Sequence, residues 1–540
     1  MTEEKKAAAH YDPLDMSNYR VEKLPKVEKS NFERWMMRVG GPLAILTFIF
    51  IYYFGDFAFI NNINPETFNP DTAATAIARY KAVGFDDFIR INYAILAIFA
   101  AAIVLWITEA IPNYLTSMCL ILAMVLTKVT SDQTVYAQLG HPVMWLNILS
   151  FVLASMLVKT QVAKRFALWF VIRFGKNASW VIFSFIVINI VLSAFISATT
   201  AKATILLPIF MVIAAIYGAR GGAHRNNFGR NLVLQNLFQI NIGASGFLTG
   251  SGANLLAGAL IAGSMGMDMF SYQAWFVAAF PLMLILIFTG WFVGMKIIFP
   301  LKPHERRPSI EGGMEYLRAE YHKMGRVKPI EWRALAIFIG VLGLWATDQQ
   351  HGINQTAVAF LGAVVALLPG IGIVKWNDVD IPWHLMLFSA GAYALGAGLD
   401  ATSIANTSVD AIFTSAGLDA STPFWKIYLI LTALMLFSAV LFQSKTMRAM
   451  IFIPIAIGVE QRFGFPVMSL SFPLALLIEH VYVLPFNSKP AALLYTTNQY
   501  SITDGVKYGI TMMVIAYGMI IVWGETVLRW LGYTPNGVFF

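Results

Sequence analysis

Apolar runs of helical length follow one another along most of the chain, separated by shorter polar stretches. They cover Gly41 to Phe54, Ile91 to Ile111, Leu120 to Leu126 with its flanks, Val143 to Val158, Val181 to Ile196, Ile205 to Tyr217, Leu232 to Ala262 and Ala274 to Phe299. After a polar interval the series resumes as Ala334 to Ala346, Ala357 to Val374, Leu385 to Leu399, Ile427 to Phe442, Ala449 to Val459, Leu470 to Tyr495 and Ile510 to Val527. Such runs predict α-helices that cross or enter a membrane. The alternating segments of about ten residues that mark barrel strands are absent. The pattern therefore predicts an all-α polytopic membrane protein.

Composition agrees: 540 residues that are 58% hydrophobic and only 13% charged cannot present an ordinary soluble surface. A net charge of +8 would suit nucleic acid, but the bases cluster in connecting segments, which is the positive-inside signal. The expected surroundings are a lipid bilayer, with no nucleic acid partner. Residues 1–40 mix acids and bases as a solvated tail without the pattern of a signal peptide. Cys119 is the only cysteine, so no intrachain disulfide or cysteine-based metal cluster can form.

Arg220, Arg225 and Arg230 fall in one connecting segment, and Lys302, Arg306, Arg307, Arg318, Lys323, Arg326, Lys328 and Arg333 in another, so both are expected on the cytoplasmic side. Tyr53 to Phe88 carries Asp56, Glu66, Asp71, Asp86 and Asp87 against Arg79 and Lys81, which suits the outside. The amino terminus is then cytoplasmic.

The loop at 300–333 divides the apolar chain nearly in half, and the halves echo each other. "FISATTAKATILLPIF" (Phe195 to Phe210) resembles "LFQSKTMRAMIFIPIA" (Leu441 to Ala456), and "LTGSGANLLAG" (Leu248 to Gly258) is followed in the other half by "LPFNSKPAALLY" (Leu484 to Tyr495). Small and hydroxyl residues at such positions let helices break near mid-membrane, where a buried polar site satisfies the freed backbone groups. A packing motif would use similar residues. Recurrence in both halves favours a transport site.

These motifs resemble the divalent anion/sodium symporters, a family whose halves each carry a re-entrant hairpin with a Ser-Asn-Thr tip, an apolar run and Pro, then an unwound helix containing Gly-Thr-Pro-Pro-Asn or Thr-Pro-Pro. The resemblance covers about residues 90–530. The second tip reads Ser444-Lys445-Thr446 with Pro454 beyond it, and the second unwound segment reads Asn487-Ser488-Lys489-Pro490. In the first half Gly250-Ser251-Gly252-Ala253-Asn254 matches, with Ser251 in the threonine position. The first tip has two registrations: Ser197-Ala198-Thr199, or, anchored without gaps on Pro208, Ala198-Thr199-Thr200. The second is preferred because it sets Lys202 opposite Arg448. Neither tip keeps the family's asparagine.

The resemblance implies an inverted-repeat transporter of about eleven transmembrane helices plus two re-entrant hairpins, a homodimer of elevator type. Its divisions would be a cytoplasmic tail at 1–40, a first transmembrane helix and external segment at 41–89, a first repeat at 90–299, the basic loop at 300–333, a second repeat at 334–530 and an external tail at 531–540. A parity count agrees if Trp180 to Tyr217 and Phe424 to Glu460 are hairpins rather than spans, leaving the carboxyl terminus outside. A bacterial inner membrane is the expected location.

A base at the centre of a membrane helix costs about 2.5–3.5 kcal/mol on insertion scales, so Lys202, Lys445, Arg448 and Lys489 need a reason to be there. Snorkelling, pairing with Glu479, or capping helix carbonyls would supply a structural one. The functional reason is an anion: Arg engages a carboxylate through two hydrogen bonds and Lys adds a compact charge. Hydroxyls of Thr200, Ser251, Ser444, Thr446 and Ser488, with Ala198, Thr199 and Asn254 around them, complete the expected substrate site. By resemblance the substrate is a C4-dicarboxylate, 2-oxoglutarate or citrate, with sulfate or an organosulfonate as runner-up. No sodium is expected at Lys445, whose ammonium would stand for one; sodium near Ser197, Thr199 and Gly250 stays open. Lys445 as fixed charge predicts anion exchange with weak or no sodium dependence, against sodium- or proton-coupled symport through Glu479 or His480.

Glu109 reads as structural, His480 as a packing residue or relay, and Asp348, His351 and His384 carry no expected role. The chain lacks H-E-x-x-H, Gly-x-Ser-x-Gly and Walker motifs, so an enzyme is not expected. Paired broken helices likewise favour a carrier over a channel.

Overall fold

The computed structural model describes residues 31–539, apart from 69, 176, 268, 311–312, 403, 405–406, 408–410, 412–421, 441 and 443, together with Leu14 and Met16. Most of the expected tail at 1–40 lies outside the described residues, as do Leu441 and Gln443 of the second tip. Among the described residues every regular element is helical, and seven helices are long and apolar enough to cross a bilayer.

The first half holds α1 (Asn31–Phe54), α2 (Phe85–Thr108), α3 (Asn113–Leu126), α4 (Pro142–Thr160), α5 (Val162–Phe174), α6 (Ala178–Phe195), α7 (Thr199–Ile216), α8 (Asn227–Ser245), α9 (Gly252–Ser264) and α10 (Tyr272–Phe292). The second holds α11 (Pro329–Ala346), α12 (Gln355–Leu367), α13 (Trp383–Asp400), α14 (Phe424–Phe437), α15 (Lys445–Phe463), α16 (Ser471–Leu476), α17 (Lys489–Tyr495) and α18 (Ile502–Glu525).

Helices of the two halves pack against each other. α3 lies against α13, and α4 against α11 and α12. Elsewhere the arms and broken helices cross over: α7 packs on α17, and α9 packs on α15.

The apolar run Leu232 to Ala262 is continuous by hydropathy but folds as α8 and α9 with a break at 246–251. Gly250 comes so close to the Ala244 carbonyl that any Cβ there would collide with it. Asn254 closes the break: its Nδ2 donates to the Ala244 and Phe247 carbonyls at 2.9 and 3.0 Å, while its backbone N–H donates to Ser251 Oγ at 3.2 Å. Each of these groups would otherwise be an unsatisfied polar group in an apolar interior.

The run Leu470 to Tyr495 breaks more widely, since only α16 and α17 are helical and 477–488 lies between them. Glu460 starts α16 by accepting from the Leu470 and Ser471 N–H groups, both at 2.6 Å. In the open segment Asn487 Oδ1 accepts from the Leu484 N–H at 2.7 Å, and Ser488 Oγ donates to the Val481 carbonyl at 3.0 Å.

The basic loop is anchored rather than loose. Arg165 on α5 bonds the Glu331 carboxylate at 2.6 Å and the Gly325 and Met324 carbonyls at 2.8 and 3.0 Å. Glu305 accepts from the Asn227 N–H at 2.9 Å, where α8 begins. Asp348 similarly holds the start of α10 through the Tyr272 N–H at 2.8 Å and Gln355 Nε2 at 2.7 Å.

Candidate functional site

Two hairpins, α6 with α7 and α14 with α15, end in the tips that the sequence singled out. α7 begins at Thr199 with Ala198 as its N-cap residue; α15 begins at Lys445 with Ser444 as N-cap, its Oγ accepting from the Met447 N–H at 3.3 Å. Helix starts thus coincide in the registration anchored on Pro208 and Pro454, in which Ala198 aligns with Ser444 and Lys202 with Arg448. Each second arm also reaches back to a serine of the first. Lys202 Nζ donates to Ser193 Oγ at 2.9 Å, and Arg448 Nε to Ser438 Oγ at 3.1 Å.

The centre of the arrangement is Glu479, fully buried in the open segment of the second half. One carboxylate oxygen accepts from Ser251 Oγ, the N-cap of α9; the other meets Lys445 Nζ at 2.7 Å. A residue from the first break and one from the second tip therefore meet on a single carboxylate. Lys445 is the first residue of α15, where the helix dipole disfavours a cation, and Glu479 offsets that cost. Lys202 lies within range of both charges, and Arg448 within range of Glu479.

Arg448 is fully buried and its guanidinium faces backbone. It donates to the Ile478 carbonyl at 3.0 Å, to Leu477 at 3.4 Å and to Met435. These carbonyls lie at the ends of α14 and α16, so the cation caps two helix C-termini.

Of the remaining candidates, Thr199 and Asn254 are buried, Thr200, Thr446 and Ser488 half-buried, and Lys489 exposed. Lys489 is drawn aside, its Nζ 3.2 Å from His384 Nε2 at the start of α13. His480 turns its Nδ1 to the Tyr482 hydroxyl at 2.8 Å. Beside the first tip, a cavity of about 10 Å³ is lined by Ser150, Ser197 and Thr249, the last adjacent to Gly250. The Ser150 and Ser197 hydroxyls are buried there without a hydrogen-bond partner among the described residues.

Sequence reasoning gave Glu479 only the role of a pairing or relay group, and it missed Ser193, Ser438 and a buried amide cluster. In that cluster Asn189 Nδ2 donates to Asn236 Oδ1 at 2.9 Å and to Gln239 Oε1 at 3.0 Å. Four amides in "LVLQNLFQIN" inside an apolar run were the available signal.

A family model described as the sodium:sulfate symporter transmembrane region matches residues 88–534. The chain belongs to this family. The sodium:sulfate symporter match covers both hairpins and both breaks, and it places the chain among transporters rather than enzymes. Similar proteins include a membrane protein of Cupriavidus necator, 23% identical over 81% of this chain and 87% of its own length. A sodium-dependent dicarboxylate transporter of Staphylococcus saprophyticus is 24% identical over 80% of this chain and 86% of its own length. A sodium-dependent high-affinity dicarboxylate transporter of Caenorhabditis elegans is 24% identical over 74% and 77%.

Proposed function

We propose that this chain is a secondary active transporter of small multivalent organic anions, dicarboxylates in the first place, bound where α7, α9 and α15 begin. One observation carries this reading: Ser251 of the first half and Lys445 of the second converge on Glu479 at the starts of α9 and α15. Helix N-termini favour anions, and the Lys445 ammonium adds a full charge. The names of the two dicarboxylate-transporting relatives support the substrate class. Sulfate and organosulfonates suit the same groups and form the runner-up.

In this reading Ala198, Thr199, Thr200, Lys202, Asn254, Ser444, Thr446, Ser488 and Lys489 shape the cavity, and Arg448 acts on it by holding the carbonyls around Glu479. The reciprocal packing of α7 on α17 and α9 on α15 supports inverted repeats at 90–299 and 334–530. We extend the proposal to elevator-type movement of the site in a homodimer, with the amino terminus cytoplasmic in a bacterial inner membrane.

Exchange without sodium follows from a bare Lys445 charge in the empty carrier, but Lys445 already has Glu479 at 2.7 Å. An internally paired charge crosses an apolar barrier more easily, so exchange should be faster than net uptake without being obligatory. For sodium, the cavity with two partnerless hydroxyls at Ser150 and Ser197 supports one place in the first half. Lys445 takes that role in the second.

Counterflow in proteoliposomes with labelled succinate, citrate and sulfate, with and without sodium, tests the reading. Saturable flux of succinate, accelerated by unlabelled succinate on the opposite side, is expected. Flux that never saturates, or sulfate preferred over every dicarboxylate, would overturn it.

A further inference from the structure

Glu479 occupies a position that an incoming anion also needs. It rests on the functional reading above that the substrate carboxylate is drawn to Lys445, whose ammonium is 2.7 Å from Glu479. A substrate carboxylate in contact with that ammonium arrives beside a buried Glu479 carboxylate. Two carboxylates sharing one dry site do not both stay ionised; the site takes up a proton instead.

The neighbouring cations do not take Lys445's place. Arg448 spends its donors on Ser438 and on carbonyls at the ends of α14 and α16, and Lys202 donates to Ser193, so a Glu479 that gives up Lys445 keeps only Ser251 as a hydrogen-bond partner among the described residues. A buried carboxylate left without its bonded cation is favoured in the protonated form.

We infer that Glu479 is a coupling carboxylate: it holds Lys445 in the empty carrier and accepts a proton when a dianion displaces it, so that the anion moves with a proton. The proton comes from water and lands on the oxygen that Lys445 releases, since Ser251 Oγ keeps donating to the other. Lys445 stays an ammonium and passes to the substrate. The other charged groups facing Glu479 are Lys202 from α7 and Arg448 from α15, both cations, while α9 brings none. His480 is directed at Tyr482 instead.

The test is calorimetric titration of the full-length protein in detergent with succinate, without sodium, in two buffers of unlike ionisation heat at a pH where succinate is fully ionised. Wild type should take up about one proton per succinate, with affinity weakening up to about tenfold per pH unit as pH rises. Glu479→Gln should lose that uptake. Should Glu479→Gln not fold, difference infrared spectra of wild type with ¹³C-labelled succinate should gain an unlabelled carboxylic-acid C=O band. Succinate binding without proton uptake or without that band, or proton uptake that persists in Glu479→Gln, overturns the inference alone. No binding of any dianion overturns the functional reading beneath it.

Discussion

The two hairpins end in tips of similar outline, yet the chain closes its two breaks by different means. In the first half the break is short, and one residue, Asn254, satisfies the carbonyls of Ala244 and Phe247 while Gly250 lets the backbone come close. In the second the gap at 477–488 frees more backbone, and a guanidinium from the hairpin arm serves Leu477, Ile478 and Met435 together. Lys202, opposite Arg448, donates to Ser193 alone among the described residues. A wider break needs a larger donor set, so cations set at the same distance before Pro208 and Pro454 do unlike work.

The largest expected effect separates those two cations. Arg448→Met removes the donor of several buried carbonyls and should cost about 3 kcal/mol or more of stability, since each buried acceptor left unsatisfied costs about 1–3 kcal/mol. Lys202→Met removes one hydrogen bond and should cost about 1.5 kcal/mol or less. Thermal unfolding of the purified proteins checks both, and equal losses would erase the contrast. Arg448→Lys should fall between and impair dicarboxylate transport, because an ammonium cannot span the two helix ends as a planar fork does.

Next in size is Lys445→Asn, which returns the second tip to the family's Ser-Asn-Thr and leaves Glu479 with Ser251 alone. Without sodium, succinate affinity should fall about tenfold to a hundredfold, the worth of a charge-assisted hydrogen bond. Sodium should restore much of it. The measurement is succinate uptake against sodium concentration in wild type and variant. A sodium response that does not change would remove Lys445 from the role of a fixed cation and make the two tips alike.

The helical membrane class was legible because hydropathy in runs of this length has few other outcomes, and the tips were legible because a stretch of small and hydroxyl residues with a base, an apolar run and Pro-Ile occurs in both halves, at Phe195 to Phe210 and Leu441 to Ala456. The breaks were not legible from hydropathy: Leu232 to Ala262 is apolar throughout, and the close approach at Gly250 depends on where Ala244 lies. Pairing with Glu479 and capping of helix carbonyls were both legible as reasons for buried bases, but not which base does which. Only the open segment at 477–488 brings the Glu479 carboxylate to Lys445, and only the positions of the ends of α14 and α16 give their carbonyls to Arg448.

The smallest expected effects sharpen the comparison within the second half. Ser488 caps α17, its Oγ accepting from the Ala491 N–H at 3.3 Å and donating to the Val481 carbonyl at 3.0 Å. Thr446 is half-buried one residue past Lys445, and its hydroxyl has no protein partner among the described residues. Ser488→Ala should therefore lower stability by about 1 kcal/mol through the lost cap as well as weaken binding. Thr446→Ala should leave unfolding unchanged and lower succinate affinity about tenfold, the low end for a hydroxyl bonded to a charged group. Unfolding and succinate titration on the same preparations separate the two. If Thr446→Ala destabilised the protein while binding succinate normally, its hydroxyl would belong to the framework, and the anion site would have to be built from Ser251, Lys445 and the helix starts without it.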